Sequence, residues 1–420
     1  MPKHRITAVT ADEETARAWR SWLSRKALPL WSEAGFDQER SLYHERLEWD
    51  GHARHLPALR LMVQARQIST YCRAALDGLS NAGPRAIQCL EMVKKRYRES
   101  DGTPGWVFSI SPDGTPMDRT RDLYAHAFIL FAYGWAFRLT GELAYRREAR
   151  RTAEEIKDIF AATTAGYWDA VPAMDTFRRQ NPHMHLFEAY LVLLEVTEDG
   201  FYLDQLKTLS SLLTDHMIDP SSGLLLEVFD VAWKPVWPSG QNRVEPGHLF
   251  EWSWLLAEYE RVASLNPSEA DRLRTIADRF LEVGLSRGCD LNRGYVIDAM
   301  NEEGLVFEAT SRIWPQTELL RLLTRRRALG TDDLARFASG FLDRYAPERL
   351  GGGWIDRLDA AGAPLVDHMP ASSLYHIYGA GRELVLRHGD VFPSGNSVDP
   401  QVGSRQNLLV ASECPRIGVG

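Results

Sequence analysis

The sequence predicts an all-α protein, an (α/α)6 barrel of about twelve helices with short β-hairpin loops at one face. Three observations carry that reading. Most of the 420 residues fall into amphipathic runs of helical length and spacing. The segment His185-Leu-Phe-Glu188-Ala189 recurs as His248-Leu-Phe-Glu251-Trp252, each copy near the start of an apolar helix and shortly after a proline. Polar residues set in apolar helices then recur at steps of roughly 60 residues, at Arg66, His126, His185, His248, Gln316 and His376. Sixty residues hold two helices and two loops. Six such units form either an open solenoid or a closed ring. Polar side chains at the repeated positions favour the ring, because they would converge on its axis.

The first helix is predicted over 10–26, opened by the capping sequence Thr10-Ala-Asp-Glu-Glu. Further helices are expected at about 57–79, 84–98, 122–140, 143–161, 183–197, 200–217, 247–264, 267–286, 314–328, 332–346 and 371–388. Short Gly- and aromatic-containing pieces with β character lie between them, at 105–110, 223–229, 294–298 and 353–357. A single barrel domain over 1–390 is expected, followed by a loosely packed tail over 391–420, rich in Pro, Gly, Ser and Asn.

The formal charge of −8 does not suit nucleic acid or an anionic membrane as partner. Cys72, Cys89, Cys289 and Cys414 are scattered, which argues against a disulfide framework or a zinc knuckle. The N-terminal residues have no apolar signal core, and no stretch is apolar enough to suggest a membrane span. A cytoplasmic monomer or homodimer acting on a small molecule is expected.

Among the twelve histidines, His4, His44, His52, His55 and His388 lie in polar surroundings and read as surface residues. His126, His183, His185, His248 and His376 are embedded in apolar sequence, where an imidazole could move protons near neutral pH. His248 and Glu251 share a helix face at i, i+3, so the carboxylate could fix the imidazole's tautomer. His185 and Glu188 repeat the arrangement. The duplicated His-x-x-Glu also raises a metal site of the di-iron kind, but the order is reversed and further inward carboxylates are hard to find. No metal and no cofactor are expected. Arg66 within an apolar helix calls for an anionic partner, either a buried glutamate or a developing enediolate oxygen. Trp314 would sit at the barrel mouth, with Gln316 and Glu318 placed to bind hydroxyls.

At these residues the sequence resembles the N-acylglucosamine 2-epimerase superfamily, which includes N-acylglucosamine 2-epimerases, cellobiose 2-epimerases and mannose isomerases. The matching elements are Gln64-Ala-Arg66, Asp122-Leu-Tyr124-Ala-His126-Ala-Phe128, Asn181-Pro-His183-Met-His185-Leu-Phe-Glu188-Ala, Glu245-Pro-Gly-His248-Leu-Phe-Glu251-Trp252, Trp314-Pro-Gln316-Thr-Glu318 and Pro370-Ala-Ser-Ser-Leu-Tyr375-His376. The resemblance implies metal-free proton transfer at C1 and C2 of an opened sugar. It implies that His248 and His376 are the acid–base pair, with Arg66 near the sugar oxygens. His185, Asn181, Glu251 and Trp314 would contact substrate, His126 would mark the branch acting on unphosphorylated mannose, and Tyr124 and Glu188 would join the binding residues. The single Trp314 followed by Pro315 and Thr317 looks closer to the mannose isomerase branch.

The expected reaction is interconversion of D-mannose and D-fructose through a cis-enediol. Glu251 would set the state of His248 during ring opening, and His376 would carry the proton from C2 to C1. The alternative is 2-epimerisation of a mono- or disaccharide. A glycoside hydrolase would need two carboxylates flanking the scissile bond, for which Glu188, Glu251 and Glu318 are candidates. A non-catalytic helical scaffold is disfavoured by the cost of burying these polar groups without a task.

Overall fold

The computed structural model describes residues 10–290, 294–326 and 331–387. The expected tail over 391–420 lies outside these residues. Six inner helices form the wall around the axis: α3 (Leu61–Leu76), α5 (Leu123–Thr140), α7 (Gln180–Thr197), α9 (Pro246–Val262), α11 (Ile313–Arg326) and α13 (Leu374–Arg387). Each packs on the next, and α13 packs back on α3, so the ring is closed. The outer helices α4 (Gly83–Tyr97), α6 (Leu143–Ile159), α8 (Gly200–Leu212), α10 (Pro267–Arg287) and α12 (Thr331–Tyr345) each cover the inner helix before them. The sixth outer position is filled from the other end of the chain, by α1 (Ala11–Trp22) packed on α12 and α13.

The two layers differ in composition because they meet different surroundings. Along α5 every residue from Leu123 to Ala136 except Tyr124 is buried, as expected of a helix covered on all sides. The outer α6, Leu-Ala-Tyr-Arg-Arg-Glu-Ala-Arg-Arg, buries one stripe, Tyr145, Ala149, Thr152, Ala153 and Ile156. The first helix does not stop near Lys26 as expected. It passes through a π turn, Leu23–Ala27, into α2 (Leu28–Glu33). Pro29 sits in the first turn of α2, directly after the π turn.

The hairpins repeat as strictly as the helices. The strand before each inner helix pairs antiparallel with the strand that follows that unit's outer helix. Arg60 lies opposite Ser109, Asp122 opposite Ala170, Arg179 opposite Val228, Val244 opposite Met300, and Arg312 opposite Arg357. In the sixth unit Pro370, before α13, lies opposite Arg46, beyond α1 and α2. All six hairpins therefore stand at the end of the barrel where the inner helices begin. Among the described residues no helix is long and apolar enough to cross a membrane.

Candidate active site

Two rings of side chains project from the first two turns of the inner helices, and they do different work. The position three residues into the helix carries Gln64, His126, His183 and Gln316. The position five residues in carries Arg66, Phe128, His185, Glu251 and Glu318, with His376 in the same place on the last helix when counted from the 3-10 turn Ala371–Ser373 that leads into it. The expected set of sixfold companions mixed these two rings.

The first ring holds the hairpins. Gln64 accepts from the Tyr43 amide at 2.8 Å and donates to the Tyr43 carbonyl at 2.8 Å. Gln316 treats Val296 likewise, at 2.7 and 2.9 Å. His126 accepts from the Trp106 amide through Nε2 at 3.2 Å, and its Nδ1 meets the Asp122 carbonyl at 2.8 Å. His183 does the same with Tyr167 at 3.0 Å and Arg179 at 2.9 Å. In each case the side chain reaches backbone belonging to the preceding unit, so it rivets neighbouring units together. His126 and Gln316, expected to bind substrate, are thereby removed from the site: their polar atoms are already used. Burial pushes the His126 pKa down to about 3 and that of His183 to about 4, so both are neutral clamps.

The second ring and its neighbours form the candidate site. His248 and His376 both pack against the half-buried Trp314, with ring centroids at 4.7 and 5.8 Å from it. Trp314 is held against α9 because Gly247 leaves room for it; a Cβ there would lie 2.5 Å from the indole. Each imidazole presents Nδ1 to a carboxylate. For His376 the partner is Glu318, at 2.8 Å. For His248 it is Glu227, at 2.9 and 3.0 Å to its two oxygens, with Glu245 at 3.7 Å. This corrects two expectations: Glu251 does not set the state of His248, and Glu318 orients a histidine.

Glu227 escaped the sequence reading because it lies in the bend just before the hairpin strand Val228–Phe229 and not on a helix. The only signal was an acidic residue set in the apolar run Gly223 to Phe229. Arg321 was also missed, although its i, i+3 spacing from Glu318 was available. It reaches Glu318 at 3.4 Å and Glu188 at 3.5 Å.

The two imidazoles are driven in opposite directions. Burial disfavours charge on His248, but the Glu227 carboxylate outweighs it and raises the pKa above the ordinary value. At His376 burial and the Arg66 guanidinium dominate, and the pKa falls well below that value. Glu251, 0 % exposed, has both oxygens without a hydrogen-bond partner among the described residues. Burial, Glu318 and Glu188 raise its pKa well above the carboxylate range, so it carries a proton.

Arg66 donates to the Tyr124 hydroxyl and to the Ser372 carbonyl, at 3.2 Å for the latter, and lies 4.2 Å from the Phe128 ring. Its Nε is buried without a partner, and no carboxylate among the described residues lies within ion-pair distance. Of the two partners the sequence allowed, the buried glutamate is absent. His185 is 3.4 Å from Glu188, 3.8 Å from Glu251 and edge-on to Tyr124, and burial takes its pKa down to about 4. Glu188 also accepts from the Tyr375 hydroxyl. Asn181, one turn before His185 on the same face of α7, keeps a buried Oδ1 without a partner.

Two groups of ligand-type atoms lie within 4.8 Å of one another, His185–Glu188–Glu251 and Glu251–Glu318–His376. In both, the carboxylates other than Glu251 already serve Arg321, Tyr375 or a histidine. The donor set therefore fits proton transfer better than a resident cation.

The comparisons with known proteins supply the class of enzyme, the isomerases and epimerases of sugars. The chain belongs to the N-acylglucosamine 2-epimerase family, whose profile matches residues 43–380. It is 32 % identical over 381 residues to a mannose-6-phosphate isomerase of Rhizobium meliloti (strain 1021), covering 86 % of this chain and 95 % of the relative. It is 27 % identical over 267 residues to a cellobiose 2-epimerase of Bacteroides fragilis, covering 60 % and 67 %. Its fold is similar to the crystal structure of a D-mannose isomerase, with a TM-score of 0.76, 19 % identity, and 90 % and 99 % of the two chains covered.

Proposed function

We propose that the protein interconverts D-mannose and D-fructose by moving a proton between C2 and C1 of the opened sugar, without a metal. The observation that carries this reading is the pair of imidazoles with opposed pKa shifts packed against one indole. Environments that push two titratable groups apart assign the acid and the base. His376 is neutral and takes the C2 proton through Nε2, since Nδ1 is committed to Glu318. The imidazolium exchanges its proton with solvent and then protonates C1 of the cis-enediol as the O2 proton passes to O1. Earlier, His248, its pKa raised by Glu227, protonates the ring oxygen and takes up the O1 proton as the sugar opens. Arg66 offers an uncompensated positive charge to the enediolate oxygen. Trp314 stacks on the sugar, and His185, Asn181 and Glu251 bind hydroxyls.

A second reading is favoured by the presence of two imidazoles against one indole. A proton removed by one and returned by the other would invert C2, giving a 2-epimerase. Incubation in D₂O with D-mannose, D-mannose 6-phosphate, D-fructose, D-glucose, cellobiose and N-acetylglucosamine, with chelator present, separates the readings. Ketose carrying deuterium at C1 is expected. Aldose inverted and deuterated at C2 would establish the epimerase instead, and loss of turnover in chelator would refute the metal-free route. His376→Asn should lower kcat at least a thousandfold, and full activity in that variant would exclude its role as base.

A further inference from the structure

We propose that the opposite end of the barrel holds a second binding site, for a phosphate monoester, centred on Arg73. A cavity of about 460 Å³ opens there between the last turns of the inner helices. Arg73, Arg321, Arg382 and Arg387 line it together with Trp135 and Trp254. Arginines in a last helical turn interact favourably with the free carbonyls, so their presence alone identifies no ligand. Most of them also have carboxylates. Arg261 pairs with Glu195 and Glu258, Arg325 with Glu258, Arg138 with Glu195, and Arg382 with Asp77.

Arg73 differs. It is 4 % exposed, its Nε is buried without a hydrogen-bond partner, and no carboxylate among the described residues lies within ion-pair distance. Its guanidinium lies 5.1 Å from the Trp135 ring centroid and 5.4 Å from that of Tyr378. A buried cation without a counter-charge costs several kcal/mol, and an anion is what would offset it. Arg387 pairs with Asp12 through Nε at 3.6 Å and adds a second unmet donor, a buried Nη1 without a hydrogen-bond partner. The planar fork of a guanidinium donates two hydrogen bonds to phosphate oxygens, and the indoles of Trp135 and Trp254 offer apolar walls to an ester group. The volume is far larger than inorganic phosphate alone needs.

Arg321 and Glu188 belong to the wall of this cavity and also to the carboxylate cluster behind the imidazoles. An anion that draws on Arg321 would loosen its hold on Glu188 and Glu318, which links the two ends of the barrel.

Isothermal titration with phenyl phosphate, with phenol as the neutral control, tests the site. Saturable binding of one equivalent of phenyl phosphate, and none of phenol, is expected. Arg73→Gln should weaken that binding at least tenfold. Arg66→Gln, which removes the free cation at the sugar site, should leave it unchanged. Should Arg73→Gln fail to fold, Arg387→Gln is expected to weaken binding several-fold. Absence of binding, or binding lost in Arg66→Gln and kept in Arg73→Gln, would overturn the proposal.

Discussion

The pKa of His248 is raised chiefly by one carboxylate, and that dependence can be measured. With Glu227 replaced by glutamine, burial would be opposed only by the more distant Glu245, and the pKa of His248 would fall. The general acid must be protonated, so activity is lost as pH rises through that pKa. Glu227→Gln should therefore move the basic limb of kcat/KM to lower pH and lower kcat about 10–100-fold, as a stopped assay across pH 5–9 would show. A profile that keeps its basic limb would mean that another group supplies the acid. At this scale the sequence was a partial guide. His248, His376, Arg66, His185 and Trp314 were legible because each breaks an apolar helical pattern. Glu227 was not, since its partner is set by a hairpin that crosses to the neighbouring helix, and spacing along one helix carries no trace of that. The i, i+3 rule pointed instead to Glu251, which shares the face of His248 without touching it.

Four of the six inner helices separate two tasks by two positions, one side chain for the neighbouring hairpin and the other for the axis. The clamps are interchangeable in principle, since Gln64 and Gln316 do with an amide what His126 does with an imidazole. His126→Gln should therefore retain kcat. It should also change the response to acid. The folded protein holds His126 neutral down to about pH 3, whereas an unfolded chain takes up a proton near pH 6.5. Stability is thus lost as pH falls below about 6.5, by about 2 kcal/mol from this residue between pH 7 and pH 5. Denaturant unfolding at the two pH values should show that much less acid sensitivity in the variant. Loss of turnover with unchanged stability would return His126 to the substrate site. The alternation of inner and outer helices was readable, because composition follows burial. The register of the two rings was not, because a roughly 60-residue step fits either position and only the backbone contacts separate them.

For the whole molecule, the repeat was enough to predict a ring, yet which elements close it was beyond the sequence. The unit that completes the circle is assembled from both termini: α1 covers α13, and the strand beyond α2 pairs with the strand before α13. The Trp19 indole donates to the Ala338 carbonyl, a partner 319 residues away. This arrangement has a consequence in time. The first helix leaves the ribosome with Trp19, Trp22 and Leu23 bare, and its seat is synthesised last. At about 5–20 residues per second that apolar face waits roughly 15–60 s for its partner. A circular permutant that begins at Leu59 and carries 10–58 after Arg387 would deliver helix and seat together. On cell-free translation it should give a higher soluble yield than the natural order, and an equal yield at the same concentration would show that the orphaned helix is no hazard to the nascent chain.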